Sequence, residues 1–351
     1  MDLILRRLSS HADRILFASV CRQWHHTAVH YTHHTLPPPL PWLLQLGGGI
    51  CPQLRSLPDG EFHCFVCLKD HTHSCLGSSG SWLLLKGPEI WPLIKNPLTG
   101  AAMQLLNFRS TTFNARKVIV CSPELIAAAV MYNSHRDLVV SYRPGMSPSW
   151  SIGLCHNFYN WYQDMAFYEG RIYAVATSGD LFVHEVAEDT NHTVEPRVSW
   201  LEKVIQGKNT LDGQPILGHI YLVISCTGKL LMVQRRISTE HNHGLDSGKI
   251  FRVFEADFEK SQWLEVESLG DQVLFVSPSC SRAIRASDHG SYLQGSTIYF
   301  LHDDAPAGDR FFEPINPPAC GVYDMCSKTI CPISLGQKHV SGVLKAAWFF
   351  P

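Results

Sequence analysis

The chain has 351 residues, a formal charge of −2, 45% hydrophobic and 17% charged residues. That balance excludes a disordered chain, which could not bury enough apolar surface, and it gives no basic excess for neutralising phosphates, so no nucleic-acid partner is expected. Twelve cysteines are scattered over a long chain, and Arg6 and Arg7 stand where a signal peptide would need its apolar core, which predicts reduced thiols in the cytoplasm or nucleus.

Residues 2–30 contain neither Gly nor Pro, Asp2 and Ser10 are suited to N-cap positions, and Ser10 precedes Asp13 by three residues as in a weak capping box. Leu16, Val20 and Trp24 then recur at helical spacing and predict one apolar stripe. Such a short helical pair either packs on the main body or presents its stripe to another protein. The run Pro37-Pro38-Pro39-Leu40-Pro41 cannot continue a helix and reads as an extended connector, so the domain division is 1–35 and 36–351.

Past the connector, turn signals recur at Gly47–Gly49, Pro58-Asp59-Gly60, Asn96 to Gly100, Pro144-Gly145, Ser178-Gly179-Asp180 and Thr227-Gly228. Short apolar stretches lie between them. Three begin with an Ile-Tyr pair, Ile172-Tyr173, Ile220-Tyr221 and Ile298-Tyr299. The first two of these runs later reach a Trp followed by alternating residues, Trp200 to Val204 and Trp263 to Val266, which predicts a further strand closing each unit. The window 251–275 reads as the paired outer strands of one unit. Radially repeated antiparallel units of this kind predict an all-β fold, a β-propeller with five to seven kelch-like blades. No apolar run, including 125–131, approaches the roughly 20 residues that span a bilayer, so no membrane partner is expected.

The sequence offers little chemistry. Cys64, Cys67, His71, His73 and Cys75 are the densest ligand cluster, but Phe62 to Leu68 alternates as a strand, which turns Cys67 away from Cys64; no metal is expected. His25, His26, His30, His33 and His34 read as solvated residues on or just past a helix. Gly77-Ser78-Ser79-Gly80-Ser81 lacks the glycine two residues after serine that a nucleophile elbow needs, and reads as a turn. Glu265 and Glu267 lie on alternating strand positions facing solvent, and Asp303-Asp304 sits in a loop. Neither a phosphate loop nor a dinucleotide fingerprint occurs, so neither a cofactor nor an enzymatic activity is expected.

Leu3-Ile4-Leu5-Arg6-Arg7-Leu8, then Asp13-Arg14, then Ser19-Val20-Cys21-Arg22-Gln23-Trp24, resemble the F-box in its latter part. The body resembles the KIB-type β-propeller of plant F-box proteins. Carrying that likeness are Leu40-Pro41-Trp42-Leu43-Leu44, Gly77 to Leu83, Asn96 to Gly100, Phe254-Glu255-Ala256-Asp257, Trp263 to Val266, Ser268 to Asp271, Phe275 and Gly295 to Phe300. The usual Leu-Pro opening of the box is missing ahead of Leu3, so the box reads as N-terminally truncated. The resemblance implies a substrate receptor of a Skp-cullin-F-box ubiquitin ligase. A Skp-type adaptor would be met by Leu5, Leu8, Leu16, Val20 and Trp24, and the propeller would hold a target protein. Loops at one mouth are expected to make the target contacts: Tyr142 to Trp150, with Arg143, Met146 and Trp150, and the loop 303–312. The alternative is a stand-alone propeller, or a degenerate family member, without adaptor binding.

Overall fold

The computed structural model describes residues 2–5, 7–8, 11–31, 36, 38–46, 53–57, 62–63, 74–86, 92–105, 113–132, 136–144, 151–154, 162–184, 199–207, 210–211, 214–215, 218–236, 250–301, 320–333 and 345–351. Three helices come first, α1 (Asp2–Leu5), α2 (His11–Ser19) and α3 (Arg22–Tyr31). Strands β1 (Trp42–Leu46), β2 (Gln53–Ser56) and β3 (Phe62–His63) belong to blade 1. Blade 2 is β4 (Ser74–Ser79), β5 (Trp82–Lys86), β6 (Pro92–Lys95) and β7 (Ala102–Gln104), and blade 3 is β8 (Phe113–Ser122), β9 (Leu125–Tyr132), β10 (Arg136–Tyr142) and β11 (Ser151–Leu154). Blade 4 is β12 (Tyr162–Tyr168), β13 (Arg171–Ala176), β14 (Leu181–His184) and β15 (Ser199–Ile205). A two-residue ribbon, β16 (Thr210–Leu211) and β17 (Gln214–Pro215), precedes blade 5, which is β18 (Gly218–Ile224), β19 (Leu230–Arg236), β20 (Phe251–Asp257) and β21 (Gln262–Val266). Blade 6 is β22 (Gln272–Val276), β23 (Arg282–Arg285), β24 (Thr297–Leu301), β25 (Cys320–Asp324) and β26 (Thr329–Pro332), with a 3-10 helix over Ala286–Tyr292. The last strand, β27 (Lys345–Phe349), returns to pair with β1 and supplies the first strand of blade 1.

This is a six-bladed propeller, within the expected range, and its ring is closed by six shared cores. Because side chains alternate across a strand, each strand serves two blades. Trp42, Leu44, Ala347 and Phe349 pack with Leu83 and Leu85 of blade 2. Their neighbours Leu43, Ala346 and Trp348 point the other way, to Val273 and Phe275 of blade 6. Equivalent clusters join blades 2 and 3, 3 and 4, 4 and 5, and 5 and 6. Burial on both faces explains why these strands read as continuous apolar runs. The two Trp-led strands, β15 and β21, are the fourth strands of their blades, and the window 251–275 supplies the outer pair β20 and β21 before β22 opens the next blade.

Three details depart from the sequence reading. The Ile-Tyr pairs are not in phase with the blades: Ile172 lies in the second strand of blade 4, Ile220 in the first strand of blade 5, and Ile298 in a strand of blade 6 that runs parallel to β22. The repeated unit is therefore strand–turn–strand. Gly77 to Ser79 are strand, not turn; the turn is Gly80-Ser81, with Gly80 at φ +57°. A Cβ on Gly77 would stand 2.9 Å from that of Ser279, so glycine is required there by a close approach across blades. Of the strand expected over 62–68, only Phe62–His63 falls within the described residues.

Candidate docking surfaces

The helices carry a small core of their own, Leu5, Phe17 and Ala28, with Leu8, Ala18, Trp24 and Leu36 packed against it. The Trp24 ring lies 4.3 Å from that of Phe17. The stripe expected from Leu16, Val20 and Trp24 is broken because α2 ends at Ser19, whose hydroxyl donates to the Leu16 carbonyl at 2.7 Å. The chain turns there, and Trp24 swings inward. Leu5 is thus buried in the helical unit and Leu8 and Trp24 are half-buried against its core, while Leu16 and Val20 are 63% and 60% exposed. Beside these, Leu3, Ile4 and Ile15 are 75%, 49% and 48% exposed. Sequence reasoning missed Leu3 and Ile4 because a four-residue helix has too few turns for periodicity to tell its inner leucine from its outer residues, and it missed Ile15 of α2 because Leu16 beside it reads as the start of the stripe. His25 and His26 of α3 are exposed.

The helical unit sits at one end of blade 1. The His11 ring meets the Trp42 ring edge-on at 5.9 Å, and Trp42 pairs with Phe349 where β27 hands over to β1. The same face carries the corresponding turns of other blades: Phe350 N–H donates to the Gly80 carbonyl, and Tyr168 Oη donates to the Gly228 carbonyl at 3.0 Å. Tyr142 at the end of β10 pairs with Ile126 beside the β8–β9 turn, which puts the half-buried Arg143 on this face as well. Met146, Trp150 and the 303–312 loop lie outside the described residues.

On the inner strands, a buried ion pair ties three blades together. Lys117 Nζ of β8 donates to Asp164 Oδ1 of β12. The same carboxylate accepts from the Met165 amide at 2.7 Å and, through Oδ2, from the Leu222 amide of β18 at 2.8 Å. Burial pushes the Asp164 carboxyl up against the pull of Lys117 and the two amides. Of the sequence's metal-ligand cluster, Cys64, Cys67, His71 and His73 lie outside the described residues. Cys75 donates its thiol to the Gly77 carbonyl, and burial pushes it up to about 12. Glu265 faces solvent and pairs with Arg252 on the neighbouring strand.

The class defined by this geometry is a closed propeller carrying a small helical unit with exposed apolar side chains. The chain belongs to the KIB1-4 β-propeller family, whose match spans residues 54–324, and its relatives are plant F-box proteins. Among them, the F-box protein SKIP23 of Arabidopsis thaliana is 24% identical over 356 residues, covering 86% of this chain and 81% of that protein. Another chain of that organism named as an F-box protein, At2g33200, is 32% identical over 132 residues, 37% of this chain. This chain covers only 32% of the length of At2g33200. Among solved structures, the β-propeller domain of Myceliophteria thermophila Cps50 (Swd1) aligns with a TM-score of 0.42 at 10% identity, covering 82% of this chain and 80% of that one.

Proposed function

We propose that this chain is a substrate receptor of a Skp-cullin-F-box ubiquitin ligase, in which the helical unit docks on a Skp-type adaptor and the propeller holds the target protein. One observation carries the reading: five large apolar side chains, Leu3, Ile4, Ile15, Leu16 and Val20, stay exposed on a helical unit that has already closed its own core. Large apolar side chains left exposed in this number on one small unit mark an interaction site. The role is positional, since tethering a target beside a transferring subunit raises its effective concentration, and the chemistry belongs to the partners. In this reading Arg143, half-buried just past the end of β10, contributes to target contact.

Retention of the full chain on an immobilised Skp-type adaptor tests the reading. Leu16→Asp combined with Val20→Asp should abolish it. Each apolar side chain buried at an interface contributes about 1.5–3 kcal/mol, so two together change affinity by roughly 10²-fold or more. Because both residues are exposed, the unfolding midpoint should stay within about 1 °C of the unsubstituted chain. Failure of the unsubstituted chain to bind would leave a stand-alone propeller as the reading.

A further inference from the structure

We infer that the hairpin of β22 and β23 is an axial plug, a segment of blade 6 that occupies the centre of the ring in place of an open channel. Among the described residues blade 6 has five strands where each other blade has four, and β23 ends its strand order beside β18 of blade 5. Side chains alternate along it. Ala283 packs with Tyr221 and Val223 of blade 5, while Ile284 packs with Trp348 and Phe350 on the side of blade 1. Both are buried, and only Arg282 and Arg285 at the two ends of β23 are exposed.

The hairpin is anchored at both ends. At its base, Gln272 Oε1 accepts from the Cys226 amide in the β18–β19 turn of blade 5 at 2.7 Å. At its tip, Cys280 Sγ accepts from the Gly80 amide of blade 2 at 3.2 Å, and Ser279 fills the space that a side chain on Gly77 would need. Gly77 lies within β4 and not in the turn that follows, so the tip enters the ring instead of resting on its face. Ser277 closes the tip on itself, its Oγ donating to the Cys280 carbonyl at 2.7 Å and accepting from the Cys280 amide at 3.2 Å. Blades 2 and 5 stand opposite each other in a ring of six, and a hairpin that touches the first strands of both lies across the axis between them. The length suffices, since the five residues of β22 span roughly 17 Å. Radial blades leave a channel on their axis, the natural concave site of an open propeller. Here the chain's own hairpin takes that place. A small ligand is thereby kept from the axis, and partners are left the faces and the rim; if the chain is a substrate receptor, as proposed above, its target is met on those surfaces.

Gly77 supplies the test, because apart from its chain neighbours only Ser279 lies within 4 Å of the Cβ that alanine would add. With the tip docked, Gly77→Ala in the full chain should lower the thermal unfolding midpoint by roughly 2–5 °C, since the added carbon overpacks against the Ser279 Cβ. With the axis open, the same change would meet no atom and should hold or raise the midpoint. Ser279→Gly alone should shift the midpoint by less than about 2 °C, because the buried Ser279 hydroxyl has no hydrogen bond to lose. In that background Gly77→Ala should cause no further loss. Alkylation of the native, unsubstituted chain gives a second readout: the exposed Cys21, Cys326 and Cys331 should react, and Cys280 at the tip should not. An undiminished midpoint in Gly77→Ala, an equal loss in the Ser279→Gly background, or native labelling of Cys280 would overturn the inference. Neither measurement involves an adaptor or a target, so the plug and the receptor role fail separately.

Discussion

Asp164 is where a single side chain does the most to define the ring. It is 2% exposed, its partner Lys117 is 7% exposed, and its two oxygens reach the first strands of blades 3 and 5 from blade 4. Burying a pair of charges gains little over apolar packing, but removing one partner leaves the other uncompensated, at about 3–5 kcal/mol. The two halves are not equivalent. Asp164→Ala strands a buried ammonium and two backbone amides. Lys117→Met leaves a carboxyl that still accepts from both amides and, already pushed up by burial, can take a proton. Urea unfolding should therefore show Asp164→Ala losing about 3–5 kcal/mol and Lys117→Met roughly half of that. An inverted order would mean that the lysine, not the carboxylate, organises the site. None of this was legible in the sequence, where Lys117 and Asp164 are 47 positions apart.

Among the elements, β27 matters most for closure. Trp348 is buried against Phe275 and Tyr299 of blade 6, its indole N–H donates to the Val276 carbonyl at 3.1 Å, and its own carbonyl accepts from Ser78 of blade 2 at 2.5 Å. One residue so links three blades. Trp348→Ala should cost about 3–5 kcal/mol through the cavity it opens. Trp348→Phe keeps most of the ring volume, loses the indole hydrogen bond and orphans the Val276 carbonyl, and should cost about 1–3 kcal/mol. Chemical denaturation of both variants checks the ratio; equal losses would show that the hydrogen bond, not packing, holds the seam. Strands such as β5, β10, β13 and β18 were legible because each carries an apolar run bounded by Gly, Pro, Asn or Asp. Their place within a blade was not, since strands buried on both faces look alike whether they come first, second or third. The helical stripe failed for a different reason: Trp24 has the right spacing to follow Val20, but spacing holds only within one helix, and the break after Ser19 redirects it.

At the scale of the whole molecule, closure makes stability a shared property of the six inter-blade cores, and acid should test it through buried histidines in different parts of the structure. His11 at the helix–propeller seam, His184 on β14 and His219 on β18 are each held down at about 4, burial being the main cause. Their unfolded value is 6.5. Between those values the unfolded chain binds protons that the folded chain refuses, so their contribution is fully present above pH 6.5 and is lost as pH falls toward 4. His184, 1% exposed, alone contributes a slope of up to about 1.4 kcal/mol per pH unit in that window. His11 contributes less, because solvent reaches it. Asp164 works in the opposite direction: its raised carboxyl takes up a proton in the folded chain before the unfolded one does, which offsets part of the loss as pH falls. With these three histidines, and His289 likewise held down chiefly by burial, against one raised carboxyl, urea stability measured from pH 7.5 to 4.5 should fall with acid. His184→Phe should reduce the slope by close to one proton while leaving the curve above pH 7 parallel to that of the parent. A slope unchanged in His184→Phe would show that this imidazole titrates alike in both states, and would shift the acid sensitivity to the seam at His11 or to the blade 5 strand that carries His219.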